Sequence, residues 1–350
     1  MKNSKNKSLI LTIIALVVLV VGIGVYQMAD QDQLLAENQQ DPARNDEHFY
    51  IGLLQYTAHP SLDSISQGII DTLAENGYVD GESITLDFQN GQEDQSNLNT
   101  MSTRFVSNDA DLMIAVATPA AMAVANASSN IPVLLGAVTD PENVDLVDSN
   151  EEPGGNVTGI SDMSPINQQL DLIRQIQPEA ETIGLLYSSS EDNSILQANM
   201  AEEMAAEYGF ETIKRTVSST NDVAQVTQQL VTEVDAIWTP NDNVVASAFP
   251  SVLGVSNEAQ IPVYPAVDMM VAQGGLATLG LNQYQIGVKA GEMAVELLEG
   301  DIEPATAPVR FAEETDLVIN YETAELLNIT IPESLAEDAI DSKELQGESE

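Results

Sequence analysis

The feature that most constrains the fold is an alternation of short apolar runs with amphipathic stretches, beginning at Phe49 and occurring twice along the chain. Apolar runs too short to be helices, each followed by a stretch with helical spacing, are the pattern of a parallel sheet with crossover helices. Residues 49–56 read as a buried strand, and Ile65, Ile69, Ile70 and Leu73 then recur at helical spacing up to a cap at Asn76-Gly77. Strands follow at 83–89, 110–117 and 131–137, with helices at 98–107 and 119–127 between them. After Gly154-Gly155 the pattern restarts, with helices at 168–176, 193–208, 222–232 and 244–257 alternating with strands at 181–187, 211–217, 234–239 and 261–267. Each half has a strand ending in Thr-Pro just before a helix, at Thr118-Pro119 and Thr239-Pro240. A leftover strand near 276–280, a helix at 283–298 and extended pieces near 309–311 and 317–320 imply a chain that crosses between its halves more than once. The expected fold class is α/β, with two doubly wound parallel-sheet lobes forming a clamp around a cleft.

The first 30 residues are a separate object. Lys2, Lys5 and Lys7 precede an uncharged run over 8–28 whose apolar heart is 9–25. A run of roughly 17–25 apolar residues spans a bilayer as a helix, and lysines on its N-terminal side hold that end in the cytoplasm. A cleaved signal peptide has a shorter core and small residues before the cut, whereas Gln27-Met28-Ala29 places a large one there. Residues 1–8 are therefore expected in the cytoplasm, 9–28 as an uncleaved transmembrane anchor, and the folded part outside the cell. Residues 29–47, polar and broken by Pro42, read as a disordered acidic linker, and 336–350 as a disordered acidic tail.

A formal net charge of −44 repels nucleic acid and anionic membrane surfaces, which argues against both as partners. The absence of cysteine excludes disulfides, thiolate metal sites and cysteine nucleophiles. Only His48, in the linker, and His59 are available for zinc or imidazole chemistry, and Gly154-Gly155 and Gly274-Gly275 fit no nucleotide loop. Neither catalysis nor a cofactor is expected.

Ligands of open α/β sheets bind at the carboxyl ends of the strands. The polar residues there are Gln55 and His59, Thr118, Thr139-Asp140, the 188–194 stretch, Asn241-Asp242-Asn243, and Asp268. Thr118, Thr139, Asn193 and Ser194 stand at helix starts, where backbone N–H groups and the dipole favour an anion such as a carboxylate. Asp140, Asp242 and Asp268 suit an ammonium, so that the set would hold a zwitterion. The same residue types are ordinary N-caps, and capping is the competing reading at each position. Recurrence at one edge of both lobes favours a site. Trp238, inside an apolar strand, reads as core.

The order of these motifs resembles one family. Gln55 with His59-Pro60-Ser61-Leu62-Asp63, Gln89-Asn90-Gly91, Ala117-Thr118-Pro119-Ala120-Ala121 and Val138-Thr139-Asp140-Pro141 come in sequence. Gly154-Gly155-Asn156-Val157-Thr158-Gly159, Glu191-Asp192-Asn193-Ser194, Asp242-Asn243 and Ala277-Thr278-Leu279-Gly280 follow. The chain resembles ABC-type substrate-binding proteins of the tryptophan/tyrosine (TrpX-like) group, with the periplasmic-binding-protein type I fold. The resemblance implies an aromatic or related amino acid held between the lobes and delivered to a permease with a cytoplasmic ATPase. It implies Thr118 and Thr139 as carboxylate contacts and Asp242 as the ammonium partner. Gln55, Asn193, Ser194 and Asp268 would complete the ring, with Tyr56 and Tyr187 stacking on the side chain. It also implies lobes made of 48–158 with 278–305 and of 159–277 with 306–335. Asp192, Asn241 and Asn282 depart from the residues usual in those motifs, and the lipobox cysteine is absent. A ligand-sensing ectodomain working with a membrane signalling partner would share this fold and site.

Overall fold

The computed structural model describes residues 48–312 and 314–347. The expected cytoplasmic end, anchor and linker lie outside the described residues. Among the described residues no helix is long and apolar enough to cross a membrane.

The first lobe opens with five strands: β1 (Phe49–Gln55), β2 (Ile84–Asn90), β3 (Leu112–Val116), β4 (Val133–Ala137) and β5 (Val157–Ser161). β3, β4 and β5 are buried along their whole length, as strands covered on both faces must be. Edge strand β2 instead buries only Ile84 and Asp87 and exposes Thr85 and Phe88. The second lobe contains β6 (Thr182–Ser188), β7 (Glu211–Val217), β8 (Ala236–Thr239) and β9 (Val263–Pro265), parallel in the order β7-β6-β8-β9. The chain then adds β10 (Ala277–Leu281), β11 (Arg310–Phe311), β12 (Thr315–Ile319) and β13 (Ile340–Asp341). β11 joins the edge of the first sheet, giving β11-β5-β4-β3-β1-β2, while β10, β12 and β13 form a small mixed sheet. Two doubly wound α/β lobes are present, as expected.

The lobe boundaries differ from the expected ones. β5 pairs with β4 and ends at Ser161, so the first crossing follows it and not residue 158. β10 pairs antiparallel with β12 on the second lobe, which moves the second crossing from 277 to Asn282. β11 pairs with β5, so the third crossing falls between β11 and β12 and not at 305. The tail is also corrected: Ile340 and Asp341 pair with Val318 and Ile319, and the helix Ser342–Gly347 follows with Ser342 buried. An apolar Ile340 with an open strand beside it overrides the acidic composition around it.

Helix Gln283–Glu299 returns to the first lobe and lies against helix Pro60–Glu75 with almost nothing between the backbones. A Cβ at Gly287 would stand 2.1 Å from the Ile65 carbonyl oxygen, and one at Gly68 2.4 Å from that of Tyr284. Trp238 is core as expected; its indole N–H donates to Gln169 Oε1 at 3.0 Å. The helix expected over 244–257 is two, Asn243–Ser247 and Phe249–Glu258, broken at Ala248. Pro250 has no N–H to give the preceding turn, so the first piece ends there. That five-residue helix sits at the cleft.

Candidate ligand-binding site

A cavity with about 30 Å³ of internal space lies between the lobes, at the carboxyl ends of both sheets. From the first lobe it is lined by His59, Ser61, Ala117, Thr118, Ala137 and Thr139. These residues surround the starts of two helices, Pro60–Glu75 and Thr118–Ala127, both with proline in the first turn. Neither N-cap residue, His59 or Ala117, gives its helix a side-chain cap. Ala117 has φ +79°, a conformation that L side chains rarely adopt and one that concentrates at functional sites. Two uncapped helix starts with hydroxyls beside them make a receptor for an anion.

The second lobe and the first crossing present the opposite chemistry. Asn193, Asn241, Asp242, Asn243 and Asp162 line this side, with Ala246, Val267 and Met270 as apolar wall. Asp242 is the N-cap of helix Asn243–Ser247, accepting Val245 N–H at 2.8 Å, and it also accepts Ser188 N–H in a short bond. Capping and cavity lining thus coincide at Asp242. Buried Glu191 stands behind it, accepting the N–H groups of Asn243 and Val244 at 3.1 Å each and Asn243 Nδ2 at 2.5 Å. Burial and the Asp242 charge push Glu191 up to about 8, and burial raises Asp242 too. Each of these two adjacent buried carboxyls thus resists ionisation, Glu191 the more so beside the Asp242 charge. Burial also pushes Asp162 up to about 6, despite the Thr139 hydroxyl that donates to it at 2.9 Å. Among the described residues lining the cavity there is no lysine or arginine to neutralise these groups.

Three buried polar atoms on lining residues have no partner: His59 Nδ1, Ser61 Oγ and Asn193 Oδ1. Asn243 Nδ2 donates to Glu191, so Asn243 Oδ1 accepts, and His59 Nε2 at 3.1 Å must be its donor. Burial holds the ring neutral, which leaves Nδ1 an acceptor. Asn193 Nδ2 donates to the Asn241 carbonyl at 2.7 Å, leaving its oxygen open. Buried polar atoms are almost always paired. Unpaired acceptors beside carboxylates call for a donor-rich, cationic group.

The structure brings Thr118, Thr139, Asn193, Asp242 and Asn243 to the cavity, and leaves the other expected residues off its lining. Gln55 is locked inside the first lobe, donating to Thr57 O and Asp63 Oδ1 and accepting from Ser66 Oγ. Tyr56 is packed in that lobe's core, and burial, then Glu191, Glu93 and Asp242, hold its hydroxyl protonated. Asp140 accepts Asn143 N–H in a turn. Tyr187 is buried in β6, and Ser194 donates to the Asn241 carbonyl. Asp268 accepts Met269 N–H beneath the lining residues Val267 and Met270, and burial pushes it up to about 7. Sequence reasoning missed Asp162, Gln283 and Met270, and named Asn241 at a strand end without giving it a role. Asn241 joins the crossing to the second lobe, accepting from Ser164 Oγ and donating to Asp162 O.

A family model described as ABC transporter substrate binding protein matches residues 50–343. The chain belongs to the ABC transporter substrate binding proteins. This family binds solutes and is not one of enzymes, and its members work on the extracellular or periplasmic side of the membrane. The chain is 36% identical over 325 residues to a tyrosine-binding protein of Clostridioides difficile (strain R20291), covering 93% of each chain. Among solved structures it is similar to an ABC domain from Streptococcus pneumonia in complex with L-Trp, at 44% identity and TM-score 0.82, covering 84% of this chain and 99% of that one. The ligand-free, open structure of a Clostridium difficile substrate binding protein with adhesive properties matches at 37% identity and TM-score 0.66, covering 84% and 98%. The two lobes of this substrate-binding protein meet across the cleft. Two bonds span it: His59 to Asn243, and Ser247 Oγ to Glu93 Oε1 at 2.7 Å.

Proposed function

We propose that this substrate-binding protein captures an aromatic L-amino acid between its lobes and hands it to an ABC permease driven by a cytoplasmic ATPase. The observation that carries the reading is the polarity of the cavity. The first lobe supplies two uncapped helix starts with Ser61 and Thr118, while Thr139 gives its hydroxyl proton to Asp162, and the second lobe supplies Asp242 and Asn193. A zwitterion laid across the cleft gives its carboxylate to the first and its ammonium to the second. Asp162, at the crossing, adds a second carboxylate for the ammonium. Ala246, Val267 and Met270 provide an apolar wall where a ring can lie, with Met270 able to make a sulfur–aromatic contact. Of the other expected contacts, Asn243 belongs to the lining, while Gln55, Tyr56, Asp140, Tyr187, Ser194 and Asp268 act from behind it. The two related proteins that bind tyrosine and L-Trp support an aromatic side chain. An anchor at 9–28 would keep the protein beside its permease.

A thermal-shift screen of the purified protein against the twenty amino acids tests this. L-tryptophan or L-tyrosine at 100 times its dissociation constant should add about 2.7 kcal/mol of stability. Larger shifts with a sugar or polyamine, and none with either aromatic amino acid, would refute it.

A further inference from the structure

The loop between β2 and helix Gln95–Ser107 has a conformation that its sequence does not favour. Gln92 and Glu93 are consecutive non-glycine residues with φ +55° and +58°, in the left-handed region. Both ends of the loop are fixed. Gly91 N–H donates to Gln55 O at 2.9 Å and has Leu98 so close that a Cβ would meet it at 2.3 Å. Asp94 caps the following helix through Asn97 N–H at 2.9 Å, and Glu93 N–H donates to Tyr56 O at 3.2 Å. The outcome of this geometry is that the Glu93 side chain reaches across the cleft and accepts from Ser247 Oγ.

Ser247 is the last residue of the short helix whose first residue, Asn243, is bonded by His59. The first lobe thus holds that helix at both ends. His59 and Asn243 line the cavity, whereas neither Glu93 nor Ser247 does. The helix is also tied to its own lobe, by Glu191 and Asp242 at its start. It can move as a unit with the second lobe, and the contacts at its two ends must break when the lobes part.

We infer that Glu93 and Ser247 form a clasp that sets how long the cleft stays shut, and hence the affinity, without touching the ligand. This inference rests on the reading of the cleft as the ligand site. A bond made only after the lobes meet should affect escape and not encounter. The side chains meet at the rim, so the clasp should act on all ligands alike and leave discrimination among them unchanged.

Stopped-flow binding of L-tryptophan and L-tyrosine to wild type, Glu93→Ala, Ser247→Ala and the double variant tests the clasp. Each single change should raise the dissociation rate about tenfold, the size expected for a hydrogen bond to a charged group. The association rate and the tryptophan-to-tyrosine preference should stay as they were. The double variant should be no worse than either single one, because both remove the same bond. Closure is read separately, without ligand, by energy transfer between dyes on Thr103→Cys and Glu258→Cys, exposed positions on opposite lobes of a chain with no native cysteine. The variants should shift the distance distribution toward the open form. Additive effects of the two changes, or an unshifted distribution, would overturn the clasp. Failure of wild type to bind either amino acid would instead overturn the ligand reading, and the distance measurement would still decide on the clasp.

Discussion

Asp242→Asn is expected to weaken amino-acid binding by two orders of magnitude or more. The cavity has no cationic side chain among its described lining residues, so a buried ammonium would have to find its charge partner in a carboxylate. Removing one member of a buried ion pair costs about 3–5 kcal/mol, and every 1.4 kcal/mol is tenfold. The same substitution should also lower the stability of the unliganded protein. Both Asp242 oxygens accept backbone N–H groups, from Val245 and Ser188, and an asparagine offers one oxygen in place of two. Helix capping itself survives, since asparagine caps as well as aspartate. The bond to Ser188 does not, and a buried donor left without a partner costs about 1–3 kcal/mol. Thr118→Ala loses one hydroxyl beside a helix start and should cost less affinity, about 1.5–3 kcal/mol. Calorimetry and melting of the two variants separate the roles. Lower stability with unchanged affinity in Asp242→Asn would mean that this residue is a cap alone.

The second large effect is with pH, and it runs in opposite directions for stability and affinity. Burial raises Asp162 to about 6, Asp268 to about 7 and Glu191 to about 8, from ordinary values of 3.8, 3.8 and 4.5. Between the ordinary and raised values the folded state binds more protons than the unfolded chain, so unfolding free energy falls as pH rises. The unliganded protein should therefore be most stable near pH 4–5 and lose stability up to about pH 8, as each folded-state value is passed. Each group contributes about 1.4 kcal/mol per pH unit within its window. A drop in melting temperature on the order of 10–15 °C between pH 5 and pH 8 is expected. Affinity for an ammonium-bearing ligand should rise over the same interval, because its carboxylate partners must be ionised. Melting curves and titrations at pH 5, 6, 7 and 8 test both. Parallel movement of the two quantities would mean that the buried carboxyls do not face the ligand.

Much of this was legible in the sequence, for reasons that can be traced. Thr118 and Thr139 each follow an uninterrupted apolar strand, β3 and β4, so their place at the sheet edge follows from the pattern. β5 was hidden. Its sequence, VTGIS, has no apolar run, and it is buried because Gly159 lets it lie against Leu135, where a Cβ would meet a backbone oxygen at 2.3 Å. Missing β5 meant missing Asp162, the residue that leaves it. Gln55 is the opposite case: its place at a strand end reads as a ligand contact, whereas its side chain fastens the start of helix Pro60–Glu75 through Asp63 and Ser66. Spacing also gave no sign that Pro250 would cut one helix into two and leave Asn243–Ser247 as a separate piece at the cleft.

On the proposed reading, the cleft holds a zwitterion by its two ends. Calorimetric titration of the protein at pH 8 with L-tryptophan, tryptamine and indole-3-propionate tests it most directly. Tryptamine keeps the ring and the ammonium but has no carboxylate to give the helix starts at Ser61 and Thr118. Indole-3-propionate keeps the carboxylate but leaves Asp242, Asp162 and the open acceptor on Asn193 without their donor. L-tryptophan should bind, and each analogue should bind at least a hundredfold more weakly. An analogue lacking either end that binds as tightly as L-tryptophan would contradict it.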